Sequence, residues 1–76
     1  MMQTKYVIEV VQESRPTLAY YYGGQNKQNW PVFTLTKNAI KLYDSLEEAD
    51  RDAKLLSIVH KDDLRSVKVV TCRRRT

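Results

Sequence analysis

Few side chains in this 76-residue chain could do chemistry. Its one histidine and one cysteine, His60 and Cys72, are the only base–thiol combination present. Nucleophilic catalysis needs such a pair and a third group to orient the base. Arg73, Arg74 and Arg75 follow Cys72 and could lower its thiol pKa. The plainer reading is a partly buried strand cysteine, because free Cys is among the most often buried residues. One His and one Cys, with no CxxC or HxxxH spacing, do not make a zinc site. Asp62-Asp63 has no calcium-loop spacing around it and reads as a solvated acidic pair. Gly23-Gly24 is the sole glycine pair, and neither GxGxxG nor GxxxxGK[ST] occurs, so a phosphate-cradling loop has no support. The expectation is a protein with no catalytic residue, no metal and no cofactor, and hence not an enzyme.

Binding surfaces are easier to nominate. Residues 44–63 hold seven of the nine acids, whereas residues 65–76 hold five bases and no acid, within a net charge of +4. Glu47, Glu48 and Asp52 could present carboxylates to a basic partner, or form no more than the solvated face of a helix. Trp30 and Tyr21 are possible contact anchors, since Trp and Tyr are enriched at binding hot spots. Trp30 could equally fold back over one end of the core. Lys68, Arg73, Arg74 and Arg75 make the best nucleic-acid feature, through sequence-independent phosphate contacts. No RNP, KH or zinc-finger signature accompanies them.

These residues must be positioned by five elements. Tyr6 to Val11 alternates as a strand. Residues 12–16 have turn composition, with Pro16 unable to donate to a ladder. Thr17 to Tyr22 reads as the second strand of an antiparallel hairpin, with Tyr20 and Tyr22 facing inward and Tyr21 outward. A polar loop over 23–29 ends at Trp30-Pro31, and Val32 to Leu35 reads as a third strand. Thr36 could cap one helical turn that brings Ala39, Leu42 and Tyr43 toward the core. Ser45 and Glu48 then have capping-box spacing, and acids crowd the positive end of the helix dipole. Leu46, Ala49, Ala53 and Leu56 form one helical stripe over 45–59, which Leu55, Ile58 and Val59 widen. The alanines in its middle suit close packing on a flat sheet. Arg65 to Cys72 closes the chain as a strand. Apolar Val69 and Val70, on opposite faces, suggest that this strand lies inside the sheet.

The order is β-β-β-α-β. It predicts an α+β domain in which one amphipathic helix packs on one face of a mainly antiparallel sheet of three to four strands. Residues 1–76 form one domain, with a basic tail at 73–76; no second core would fit in this length. A single cysteine excludes an internal disulfide and suits a reducing compartment. No stretch approaches the roughly 20 apolar residues of a membrane span. A cytoplasmic protein without membrane contact is expected.

The segments Tyr6-Val7-Ile8-Glu9-Val10, Tyr20-Tyr21-Tyr22-Gly23-Gly24 and Leu42 to Ala49, with the final Val67-Lys68-Val69-Val70 strand, together resemble small phage and prophage accessory proteins. The resemblance is a fold pattern plus a helix cap, and it transfers no catalytic residue. It implies a non-enzymatic protein acting in the host cytoplasm. Some proteins of that type inhibit host defence, anti-CRISPR proteins among them. The leading expectation is therefore a small binding protein that occludes a host protein. The alternative is a nucleic-acid-binding module using the basic C-terminal edge.

Overall fold

A computed structural model describes the backbone of residues 2–75 and the side chains of residues 4–72. Strands β1 (Met2–Gln12), β2 (Arg15–Gln25) and β3 (Pro31–Thr34) lead into a 3-10 turn at Lys37–Ala39. Helix α1 (Leu46–Val59) and strand β4 (Leu64–Arg75) complete the chain. The sheet is antiparallel throughout, in the order β3-β2-β1-β4. The expected α+β architecture is thus present, with four strands and one helix.

Period-two alternation assigns the two faces. Tyr6, Ile8 and Val10 of β1 lie level with Thr71, Val69 and Val67 of β4, and Val10 with Tyr20 of β2. This is the helix face. The core there is Ile8, Val10, Tyr22, Tyr43, Ala49, Ala53, Leu56 and Leu64. The two alanines bring the helix backbone close to the pleated surface. Ser45 sits at the N-cap, where its Oγ accepts from the Glu48 N–H at 3.2 Å. That bond satisfies one of the orphan amides of the first turn.

The opposite, open face carries Val7, Tyr21, Val70 and Cys72. It is not bare, because residues 35–42 lie against it and leave Val7 only 5% exposed. The return of that segment is the least regular part of the fold. Beyond Tyr21 strand β2 peels away from β1, and residues 41–43 enter the gap. The Lys41 N–H donates to the Tyr22 carbonyl at 3.0 Å, and Tyr43 and Tyr6 exchange two backbone hydrogen bonds at 2.9 and 3.0 Å. Gly23 permits the crossing: a Cβ there would stand 2.7 Å from the Ala39 carbonyl oxygen. Gly24 takes φ +90° where β2 shifts register against β3, a region open to glycine at little cost.

Four expectations need correction. Leu46 is half exposed at the rim of the helix, and Leu55, Ile58 and Val59 point into solvent. The buried stripe is narrower than the apolar pattern, because the helix reaches only the β1–β4 half of the sheet. Strand β4 is an edge strand, not an inner one. Val69 packs under the helix and Val70 beside the 35–42 segment, so coverage on both faces, not a central position, explains the adjacent valines. Pro16 lies within β2; the register shift from Val11↔Ala19 to Gln12↔Arg15 leaves Pro16, Thr17 and Leu18 without partners, so the missing N–H costs no ladder bond. Residues 73–75, expected as a tail, continue β4 and pair with Met2, Gln3 and Thr4.

Leu56→Ala should lower the unfolding free energy by about 2–5 kcal/mol, as for a buried leucine. Leu46→Ala should change it by less than about 1 kcal/mol. Urea titration of both variants measures the contrast, and equal losses would return Leu46 to the core.

Candidate functional site

A single helix cannot cover four strands. On the helix face, β2 and β3 are left with an exposed flank beside α1. Two adjoining clefts occupy it. One, of about 340 Å³, is lined by Tyr22, Gln25, Lys41, Leu55, Val59 and His60 among others. The second, of about 470 Å³, is lined by Trp30, Pro31, Phe33, His60 and Leu64, with Glu13, Asp62 and Asp63 at its rim. His60 borders both, so they form one groove between the C-terminal half of α1 and β3.

The groove is open, and its walls mix apolar side chains with polar and charged ones. Trp30 is 64% exposed, so its indole stands out rather than folding over the core. It is held there by an Asx-type turn: Asn26 Oδ1 accepts from the Gln28 and Trp30 N–H groups at 2.9 and 3.1 Å. Asn29 takes φ 63° to close that turn. Leu55 and Val59, which line the first cleft, are 54% and 67% exposed, and Ile58 lies outside both clefts.

One end of the groove is closed by a polar cluster. Tyr43, buried in the core, donates its hydroxyl to Asp52 Oδ2 at 2.5 Å. Lys41 Nζ lies 3.5 Å from the same oxygen and 5.1 Å from the centre of the Tyr43 ring. Burial first, and then the hydrogen bond to Asp52, pushes the Tyr43 hydroxyl far above the ordinary tyrosine range. Tyr22 is raised in the same sense, by burial and then by the charge of Asp52. Neither phenol can ionise near neutral pH, so the cluster is a tie from the helix to the 41–43 segment.

The residues nominated from sequence are scattered. Glu47 and Glu48 are exposed in the first helical turn, at the far end of α1 from the groove. Asp52, read as a free surface acid, is turned inward to Tyr43 and Lys41. Tyr21 is half-buried on the open face, where it lines a cleft with Val7, Leu42, Val70 and Cys72. It is therefore separated from Trp30 by the thickness of the sheet. Lys68, also on the open face, is paired with Glu9 at 3.3 Å. The Arg73, Arg74 and Arg75 side chains lie outside the described residues. His60 and Cys72 fall on opposite faces of the sheet, so the fold does not assemble a thiol–imidazole pair. Among the described residues no group of three His, Cys, Asp or Glu side chains converges as a ligand set, and no helix is long and apolar enough to cross a membrane. Sequence reasoning missed the groove because Leu55, Ile58 and Val59 look like core. The signal was present: five large apolar residues and two alanines in a 14-residue helix are more than one sheet contact needs.

The fold and groove define an α+β domain with an apolar recess and no assembled catalytic set among its described residues. Comparison with known proteins gives no matching family model, no matching characterised sequence and no matching solved structure. The geometry of the chain alone carries the functional argument.

The raised tyrosines imply alkaline sensitivity. Above about pH 10 the unfolded chain loses phenolic protons that the folded chain retains, so stability falls as pH rises, by about 1.4 kcal/mol per pH unit for each such group. Urea midpoints compared at about pH 8 and about pH 11 should show this fall, and Tyr43→Phe should make it shallower. An unchanged alkaline slope in that variant would remove Tyr43 from the account.

Proposed function

We propose that this chain is a small non-catalytic binding protein that occludes a protein partner by seating an apolar element of it in the groove between α1 and β3. The observation that carries this reading is that Leu55 and Val59 in one cleft and Trp30 in the other are left in solvent, the two clefts meeting at His60. Exposed apolar surface adds nothing to the stability of the monomer, and contiguous patches of it mark interaction sites. An exposed Trp beside exposed aliphatic side chains has the composition of a binding hot spot, and an amphipathic helix is the kind of element that such grooves take. Glu47 and Glu48 fit as steering charges at the remote end of α1, acting on encounter rather than on the bound contact. The resemblance to phage accessory proteins points to a host protein as the partner, and to an inhibitory, anti-CRISPR-like role as one instance. The nucleic-acid alternative has less support. The one described member of its basic set, Lys68, is already paired with Glu9, and Trp30 and Tyr21 face opposite ways.

Tagged protein used to isolate its partner, followed by calorimetry with that partner, tests the reading. Leu55→Asp and Trp30→Ala should each weaken binding by about tenfold or more, as hot-spot truncations do, with the fold unchanged. Reversing Glu47 and Glu48 should slow association and leave dissociation nearly unaltered. Binding that survives both groove substitutions, or a bound fraction that is nucleic acid released steeply by salt, would overturn the proposal.

A further inference from the structure

We infer that the outer edge of β4 accepts an acidic, extended segment of a partner protein as a fifth strand. This surface is independent of the groove, which lies along the β2–β3 half of the sheet, and either can fail without the other.

The geometry begins with length. Strand β4 has 12 residues and pairs along its whole course with β1, from Leu64↔Gln12 to Arg75↔Met2. It ends the sheet on that side, so alternate backbone N–H and C=O groups along its outer side have no strand to pair with. The opposite edge offers no such template. There β3 has only four residues, starting at Pro31. A short strand opening on proline is a blunted edge. The available edge is therefore β4.

Charge selects the occupant. Strand β4 carries Arg65, Lys68, Arg73, Arg74 and Arg75 and no acid. A second copy of the chain is the first occupant to weigh, since an edge can pair with itself. In antiparallel self-pairing centred on Val69, Arg65 falls opposite Arg73. Centred between Val69 and Val70, it falls opposite Arg74; centred on Val70, opposite Arg75. Every full-length register sets like charges face to face, which is destabilising. A strand in which Asp or Glu alternates with apolar residues meets the opposite condition. With its apolar residues extending the rows begun by Val67 and Val69 under the helix, its acids fall on the other face, level with Arg74 and with Lys68, which stays 63% exposed beside Glu9. Nucleic acid would use the charge but not the edge. Strand β4 has no aromatic side chain on which a base could stack, whereas strand addition uses main-chain hydrogen bonds for affinity and alternate side chains for specificity.

The test uses the full chain and a synthetic peptide of about ten residues alternating Glu and Val, the length of a long natural strand. A second peptide has the same sequence with alternate backbone nitrogens methylated, which preserves charge and removes one edge of donors. Amide NMR and hydrogen exchange should show the first peptide binding and protecting every second residue between 64 and 72. The methylated peptide should bind about tenfold more weakly or not at all, because strand addition depends on main-chain donors. Lys68→Glu, checked for an intact spectrum, should weaken binding by a similar factor. The proposal is overturned if the methylated peptide binds equally well. It is also overturned if an oligonucleotide is preferred to the peptide, if β4 becomes protected through self-association, or if no peptide binds at low salt.

Discussion

The structure depends on Tyr43. Strands β1 and β2 pair only from Glu9 to Gln12, and β2 then turns away. A gap in a sheet leaves backbone donors and acceptors without partners, and each buried one costs free energy comparable to a lost hydrogen bond. Residues 41–43 fill the gap with backbone, through Tyr6 and Tyr22. The same short segment then supplies a buried ring to the core and a hydroxyl to Asp52 on the helix. One residue thus completes the sheet, packs the core and holds α1 at its middle. The adjacent ion pair of Lys5 with Asp44 fastens the segment again where it leaves β1. That surface contact is worth little by itself.

This wedge sets what the helix can cover. An α-helix with its side chains is about 10 Å across, and strands are spaced about 4.8 Å apart. One helix therefore covers about two strands of a four-stranded sheet. Tied through Asp52 and packed by Ala49 and Ala53, α1 lies over β1 and β4. The β2–β3 flank is left as a groove, and the excess apolar side of α1 becomes one of its walls. The recess follows from a shortage of helix relative to sheet.

How much of this was legible in the sequence depends on whether the signal was local. The Ser45–Glu48 cap, the Ala49–Ala53–Leu56 stripe and the inward Tyr20 and Tyr22 follow from spacing and capping, and the structure has each of them. The strand interior to Tyr6–Val11 was equally plain. The failures are all non-local. Leu46, Leu55, Ile58 and Val59 satisfy a helical period, but a period says which side of the helix is apolar, not how far its partner extends. Val69 and Val70 imply two covered faces, and the second cover comes from a segment some 30 residues earlier, which reads as one helical turn bound for the core with nothing to say which face it covers. Asp52 looked like solvent-facing charge because its partner, Tyr43, is reached only once the chain has re-entered the sheet. Gly23 and Gly24 suggested a mobile loop. They are instead strand positions: another piece of backbone passes close at Gly23, and Gly24 takes a positive φ at the register shift.

The two candidate surfaces also differ in what they would ask of a partner. The groove is lined by side chains already fixed by turns and helix, so little conformational entropy is lost when it is filled. The β4 edge offers backbone, and a segment that joins it must itself become ordered, which lowers the affinity obtained per unit of contact area. A partner using only the edge would accordingly bind weakly and exchange quickly. One that placed an element in the groove and ran an acidic extension to the edge would gain from effective concentration, provided the extension could cross the sheet. The span is short: four strands at about 4.8 Å place the two surfaces within about 20 Å, reachable by six or so extended residues at roughly 3.3 Å each. The helix lies between them and fixes the route. A connecting segment would pass either around the end of α1 at His60 or beneath the open face of the sheet. The first route runs past Asp62 and Asp63, whose charge repels an acidic segment. The second meets residues 35–42, which already lie against that face, and Lys68, which is paired with Glu9.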